Sequence, residues 1–469
     1  MRLVFILILL SIPWLKATAL EEEDELLMLI EITRHGVRSS YGSGSELLNL
    51  TWPNRGGDLL EVGERQHYLQ GVKLRKRYVD KLNFLEDTFN PQHHFVISTN
   101  LNRTIMSAYS QLLGLYPLGK GPLFEDSGKR KAAVPPFKIS TEASKFIRSN
   151  DVLEHRYSPF PIHVLPNENH LLSGNSYLIC PILEDYIGES FRHTHYSTKA
   201  ELYPLYHDME QIWGVSEEHL NIEKAWPYLD TYDMATKNGM TVENDLSGNA
   251  KNLLNKFWWN HFYEGLFGDP KSAQLTSSEL INFIVDNLVE KVKVDKGVSN
   301  SEFHKNIRHV LFSAHDTTVS ALMKTIEQEN TQYTSPQPAS TTLIELIKRG
   351  NTYYIRWVID DKELQVGNRC DINKFCEFYG TMDYLNSRTT QNIEEECQKH
   401  EKGESSSFPL WGIIAIVVGG LILIGCFSCL CSLYVSMKSS KKEDDVYEEC
   451  SSDEERESFE SFGKMRMNS

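Results

Sequence analysis

Residues 26–38 read LLMLIEITRHGVR. An apolar run, interrupted only by Glu31, leads directly into a turn that carries Arg34, His35 and Arg38. Such a run predicts a buried strand that delivers its charged residues at its carboxyl end. Two arginines that flank a histidine are suited to hold an anion against a nucleophile.

Two later stretches repeat this pattern. Phe95–Ile97 form a second short apolar run, followed by a helix that has Arg103 at its start. His309–Phe312 form a third run, which ends in His315 and Asp316. Three strand-then-helix units with charged carboxyl ends predict an α/β fold. We expect an open, mixed or parallel sheet flanked by helices, with the site across its carboxyl edge.

The middle of the chain has a different pattern. Prolines break the first part of residues 131–270 into short pieces, and aromatic-rich helical stretches follow. We therefore predict a mostly helical cap insertion over 131–270, with the α/β core formed by 20–130 and 271–405.

The two ends of the chain predict secretion and a membrane anchor. Residues 1–19 combine Arg2, an apolar run and a small-residue cleavage site, which predicts a secretory signal peptide. Residues 410–435 contain no charged residue and are long enough to cross a bilayer as one helix. Lysines follow that segment, so residues 436–469 are expected in the cytosol. This organisation predicts a single-pass type I membrane protein whose ectodomain is lumenal (lysosome or other endomembrane) or extracellular.

Charge and cysteine usage agree with that topology. The formal net charge of −16 over 469 residues argues against nucleic acid as a partner, because phosphate backbones require clustered Lys and Arg. Four cysteines precede the predicted membrane segment, and an oxidising compartment would join them in two disulfides. The residues alone leave three pairings open for Cys180, Cys370, Cys376 and Cys397.

The three strand ends together offer a defined chemistry. Three guanidiniums that converge on one point suit a dianionic tetrahedral group. A histidine among arginines has its cationic form disfavoured, so His35 can remain a neutral nucleophile in mildly acidic medium. Asp316, placed opposite, can protonate a leaving alkoxide.

These motifs resemble the histidine phosphatase superfamily, in its acid phosphatase branch. The resemblance rests on Arg34-His35-Gly36-Val37-Arg38, His315-Asp316, Trp52-Pro53 and the segments 63–68 and 102–108. It implies that His35 attacks phosphorus to form phosphohistidine and that Asp316 donates the proton to the leaving group. Arg34, Arg38, Arg103 and His315 would bind the phosphoryl oxygens. The substrate would be a phosphate monoester, hydrolysed without metal or other cofactor, and a homodimer is left open.

The resemblance also implies a disulfide between Cys180 and Cys397, which leaves Cys370 with Cys376. Two positions depart from the family pattern. Ser40 stands where the family usually has proline, and Asn102 stands where aspartate is common. Asn102 thereby begins a glycosylation sequon inside the predicted site. We expect it to be unmodified, with Asn49 as the glycosylated asparagine.

Two alternatives remain from the sequence. The first is an inactive family member that serves as a surface receptor or adhesion glycoprotein, supported only by the departures at Ser40 and Asn102. The second is a phytase-like hydrolase, which would need a strongly basic entrance that the acidic ectodomain does not favour.

Overall fold

The computed structural model describes residues 24–403 except 42–43, 167–170, 173–179, 327–334 and 368–369. The predicted signal peptide, membrane segment and cytosolic tail lie outside the described residues. Within the described part, no helix is both long and apolar enough to cross a membrane.

A central sheet of eight strands organises the molecule. The strands are β1 (Asp24–Arg34), β2 (His94–Thr99), β3 (His163–Leu165), β4 (His309–Ala314), β5 (Thr341–Arg349), β6 (Thr352–Ile359), β7 (Lys362–Leu364) and β8 (Cys376–Glu377). Their order is β3-β2-β4-β1-β5-β6-β7, and β8 also pairs with β6. The β3, β2, β4 and β1 strands are mutually parallel, whereas the β5–β8 strands join in antiparallel pairs. The predicted α/β fold with a mixed sheet is therefore confirmed.

Helices cover both faces of this sheet. They are α1 (Glu61–Leu74), α2 (Asn102–Leu115), α3 (Ser127–Ala132), α4 (Thr141–Phe146), α5 (Ile182–Trp213), α6 (Trp226–Lys237), α7 (Gly248–Trp259), α8 (Pro270–Asp295), α9 (Glu302–Asn306), α10 (Asp316–Thr325), α11 (Phe378–Ser387) and α12 (Ile393–Gly403). Arg75–Lys81 and Asn260–Leu266 continue α1 and α7 as π-helical turns. One core cluster joins the sheet to α1 and α2, and a larger cluster joins the opposite face to α5–α8, α10 and α11.

The register of the parallel strands places their ends together. Arg34 of β1 lies opposite Ala314 of β4, and Ser98 of β2 lies opposite Ser313 of β4. The residues that follow these three strands therefore leave the sheet at one edge, as the sequence pattern predicts.

The predicted cap insertion is largely helical between α3 and α7, but it also contains one strand of the sheet. Strand β3 pairs in parallel with β2 through Ile97 and His163. Part of the range 131–270 thus extends the core sheet at its edge. The boundaries 20–130, 131–270 and 271–405 remain a prediction.

Both predicted disulfides are present. Cys180 is bonded to Cys397 across 217 residues of chain, and Cys370 is bonded to Cys376. The first bridge joins the start of α5 to α12, so it ties the predicted insertion to the end of the core.

Helices α1 and α2 cross at two glycines. A Cβ built at Gly71 would lie 1.9 Å from the carbonyl oxygen of Gln111, and one at Gly114 would lie 2.0 Å from that of Tyr68. Side chains at these positions would therefore separate the two helices.

Replacing Gly71 with alanine is expected to lower the free energy of unfolding by about 2 kcal/mol or more, because the obstructing atoms belong to the backbone. Chemical denaturation of the purified protein, followed by tryptophan fluorescence, measures this. Gly188→Ala in α5 is the control, since among the described residues no atom lies within 4 Å of a Cβ built there. Equal stabilities of the two variants would contradict the prediction.

Candidate active site

One cavity of about 1130 Å³ lies at the carboxyl edge of the sheet. All six residues predicted to form the site line it: Arg34, His35, Arg38, Arg103, His315 and Asp316. Arg34 ends β1, and His35 and Arg38 follow it. Arg103 lies in the first turn of α2, and His315 and Asp316 stand where β4 passes into α10. The N-termini of α2 and α10 thus both lie at this cavity, where helix dipoles favour an anion.

His35 is buried, and its ring has a defined orientation. Its Nδ1–H donates to the carbonyl oxygen of Gly36 at 2.8 Å, because a carbonyl can only accept. In the neutral ring this leaves the lone pair on Nε2. Burial, reinforced by Arg103 and Arg34, holds the pKa of His35 well below its ordinary value. The ring therefore stays neutral in acidic medium, with a free nitrogen lone pair.

His315 lies beside His35, with ring centroids 5.6 Å apart and planes inclined by 69°. Its Nε2 lies 3.0 Å from the hydroxyl of Thr99. Burial, together with Arg103, lowers the pKa of His315 to about 3. A second neutral imidazole thus stands at the cavity, able to hydrogen-bond to an oxygen of a bound anion.

Asp316 is the first residue of α10 and accepts a hydrogen bond from the backbone N–H of Thr317 at 2.9 Å. Its Oδ2 lies 2.7 Å from Nη2 of Arg34. Burial raises the pKa of the Asp316 carboxyl, but Arg34, Arg38 and His315 outweigh burial, so that the pKa lies below its ordinary value. Without an anion in the cavity, Asp316 is ionised.

The three arginines have different surroundings. Arg34 donates from Nη1 to the carbonyl oxygen of Pro336 at 2.6 Å, in addition to its contact with Asp316. Arg38 donates from Nη1 and Nη2 to the two carboxylate oxygens of Asp230, at 2.9 and 3.0 Å. Among the described residues, Arg103 forms no ion pair, and it lies 5.5 Å from the ring of Tyr41. Arg103 is therefore the least compensated cation at this edge.

Helices α1 and α2 hold the backbone of the turn after β1. The side chain of Gln66 accepts from the N–H of Val37 at 3.0 Å, and the hydroxyl of Ser107 accepts from the N–H of Gly36 at 3.2 Å. His67, fully buried, donates from Nε2 to the carbonyl oxygen of Arg34 at 3.1 Å. These three contacts hold the turn in place, because each satisfies a hydrogen-bonding group of its backbone.

The sequence interpretation missed the contribution of α6. Four residues of this helix line the cavity, at spacings of four, three and four: Trp226, Asp230, Asp233 and Lys237. Such spacing predicts one helix face, and a polar face next to an aromatic residue could have indicated a cavity wall. Nothing in the sequence, however, indicates that Asp230 pairs with Arg38, which lies 192 residues earlier.

Residues 25–360 match the family model described as histidine phosphatase superfamily (branch 2). The chain belongs to this superfamily. It is a hydrolase of the histidine acid phosphatase type, which confirms the family inferred from the motifs.

Curated relatives agree with this assignment over most of the chain. It is 24% identical to lysosomal acid phosphatase of Xenopus laevis over 426 residues, covering 88% of each chain. It is 26% identical to prostatic acid phosphatase of Bos taurus, over 76% of this chain and 82% of that protein.

Solved structures share the fold. Hafnia alvei phytase in complex with myo-inositol hexakis sulphate matches with a TM-score of 0.58 at 12% identity, covering 80% of this chain and 99% of the phytase. Klebsiella sp. ASR1 phytase matches with a TM-score of 0.55 at 14% identity, covering 79% of this chain and 97% of that one.

Proposed function

We propose that this protein is a membrane-anchored acid phosphatase that hydrolyses phosphate monoesters in the lumen or outside the cell, through a phosphohistidine intermediate. The proposal rests on the orientation, the protonation state and the surroundings of the His35 ring. Its Nδ1–H is held by Gly36, its pKa is depressed, and three arginines and Asp316 line the same cavity.

The proposed reaction has two displacements at phosphorus. Nε2 of His35 attacks, the bond from phosphorus to the ester oxygen breaks, and Asp316 gives its proton to the departing oxygen. Water then attacks the phosphohistidine, with the Asp316 carboxylate accepting the water proton, and releases phosphate and neutral His35. Arg34, Arg38, Arg103 and His315 hold the phosphoryl oxygens through both steps, where their charge stabilises the transition state.

The electrostatics of the site support activity at acidic pH. Asp316 must be protonated to act as an acid, yet Arg34 and Arg38 lower its pKa in the free enzyme. A bound phosphoryl group adds negative charge beside Asp316 and offsets those arginines, so the pKa of Asp316 rises in the complex. His35 remains neutral under the same conditions because its own pKa is held low. The enzyme is therefore expected to be active at pH values above the pKa of His35 and below the pKa of Asp316 in the complex.

The charge of the cavity favours substrates with one phosphate over polyphosphates. Among the described residues that line the cavity, five are acidic and four are basic. The acidic residues are Glu184, Glu223, Asp230, Asp233 and Asp316, and the basic residues are Arg34, Arg38, Arg103 and Lys237. Lys237 is itself paired with Asp233 at 2.5 Å. A substrate with several phosphates would therefore meet carboxylates beyond the first phosphate site, which argues against a phytase-like function.

Location and assembly rest on the sequence and on the relatives. Lysosomal and prostatic acid phosphatases among the relatives favour a lumenal or secreted ectodomain. We propose that a single helix over 410–435 anchors the ectodomain and that Asn49 is glycosylated, whereas Asn102 is not. A homodimer remains a prediction.

The purified protein is expected to hydrolyse p-nitrophenyl phosphate at pH 5 with EDTA present, with kcat/KM at least about 100-fold higher than for phytate. Phosphate release from both substrates measures this. No hydrolysis of either would favour the inactive receptor, and a preference for phytate would favour the phytase-like alternative.

A further inference from the structure

Helix α6 contacts the turn after β1 at two consecutive residues. Asp230 accepts from both Nη atoms of Arg38, and the hydroxyl of Thr231 lies 2.6 Å from that of Ser40. All four side chains are buried. We propose that this loop–α6 contact, meaning the Arg38–Asp230 and Ser40–Thr231 pairs, makes Asp230 a positioning residue that sets which edge of Arg38 meets the phosphoryl group.

The donors of Arg38 are divided between protein and cavity. A guanidinium has five N–H donors in a rigid plane. Asp230 takes one hydrogen from each Nη, and the carbonyl oxygen of Ser39 takes a second from Nη1 at 3.1 Å. The remaining hydrogens, on Nε and Nη2, lie on one edge of the plane. Within the described part of the chain, Nε is buried and has no hydrogen-bond partner. This edge is the fork left for two phosphoryl oxygens.

The second pair keeps the turn against α6. Thr231 donates its hydroxyl hydrogen to the carbonyl oxygen of Pro227 at 2.9 Å, so the hydroxyl of Ser40 is the donor to Thr231. Proline, which the family usually has at this position, has no side-chain donor. The departure at Ser40 therefore supplies a contact, and it gives no support to an inactive site.

Removing the Asp230 carboxylate should weaken phosphate binding by changing the orientation of Arg38. A buried cation that loses its partner must turn towards another acceptor, since leaving it unpaired is costly. The Nε–Nη2 fork would then no longer face the phosphoryl oxygens, so ground-state binding of phosphate would weaken. The chain segment that carries α6 thereby completes the phosphate site built by β1, β2 and β4.

This inference rests on the proposed phosphatase function, and the test separates the two. Asp230→Asn is expected to raise KM for p-nitrophenyl phosphate and the inhibition constant for inorganic phosphate, each by at least about tenfold. In Asp230→Glu, KM and the inhibition constant should lie between those of Asp230→Asn and the wild type. In Ser40→Ala, both constants should be roughly two- to fivefold higher than in the wild type. Glu201→Gln, which breaks the exposed Glu201–Lys256 pair of the insertion, is the matched control and should change neither.

A purely structural role predicts a different result. Fewer folded molecules would lower the apparent kcat while KM and phosphate inhibition stay at their wild-type values. That outcome for Asp230→Asn would overturn the inference, as would wild-type values throughout. If Asp230→Asn does not fold, unchanged KM and phosphate inhibition in Ser40→Ala would overturn it. A wild-type protein without phosphatase activity would instead contradict the proposed function.

Discussion

Replacing His35 with alanine is expected to lower the turnover of p-nitrophenyl phosphate by at least about 10⁴-fold and to abolish the phosphoenzyme. The reason is that Nε2 of His35 carries the free lone pair, whereas Nε2 of His315 is occupied by Thr99. The binding groups would remain in place, so the variant should still bind inorganic phosphate.

Rapid-quench trapping with labelled substrate, under alkaline conditions that preserve phosphohistidine, measures the intermediate directly. His315→Asn should still form labelled protein, although more slowly, because it loses only a binding group. His155→Ala alters an exposed histidine and should behave as wild type. Labelled protein in His35→Ala would contradict the assignment of the nucleophile.

Replacing Asp316 with asparagine is expected to have the second largest effect, and one that depends on the leaving group. Phosphorylation of His35 by an alkyl phosphate should slow by about 10²- to 10⁴-fold, because the alkoxide can no longer be protonated. With p-nitrophenyl phosphate the loss should be less than about tenfold, because p-nitrophenolate is a stable anion without a proton. Single-turnover measurements separate this step from hydrolysis of the phosphohistidine, in which Asp316 also takes part.

The pH dependence gives the same variant a second readout. In the wild type, kcat should fall as the pH rises through the pKa of Asp316 in the complex, because the acid form is lost. In Asp316→Asn this decline should disappear. Equal rate losses with both leaving groups would remove the proton-donor role from Asp316.

The parts of the fold that depend on local sequence patterns were predictable. Three apolar runs, each followed by charged residues and a helix, predicted the parallel part of the sheet and its active edge. Strand β3 was not predictable, because its three residues are mostly exposed and carry no alternating pattern. Glu31, which interrupts the first run, is fully buried beside His309 at 3.2 Å. That pair forms across two strands, so only the register reveals it.

The candidate site also has features that the sequence predicted and features that it did not. The sequence pattern predicted that Arg34, His35, Arg38, Arg103, His315 and Asp316 would meet, because the carboxyl ends of parallel strands share one edge. The hydrogen bond that occupies Nδ1 of His35 and the pairing of Arg38 with Asp230 are seen only in the tertiary structure. The direction of a hydrogen bond and the pairing of distant side chains depend on packing in three dimensions, which hydrophobic periodicity along the chain does not encode.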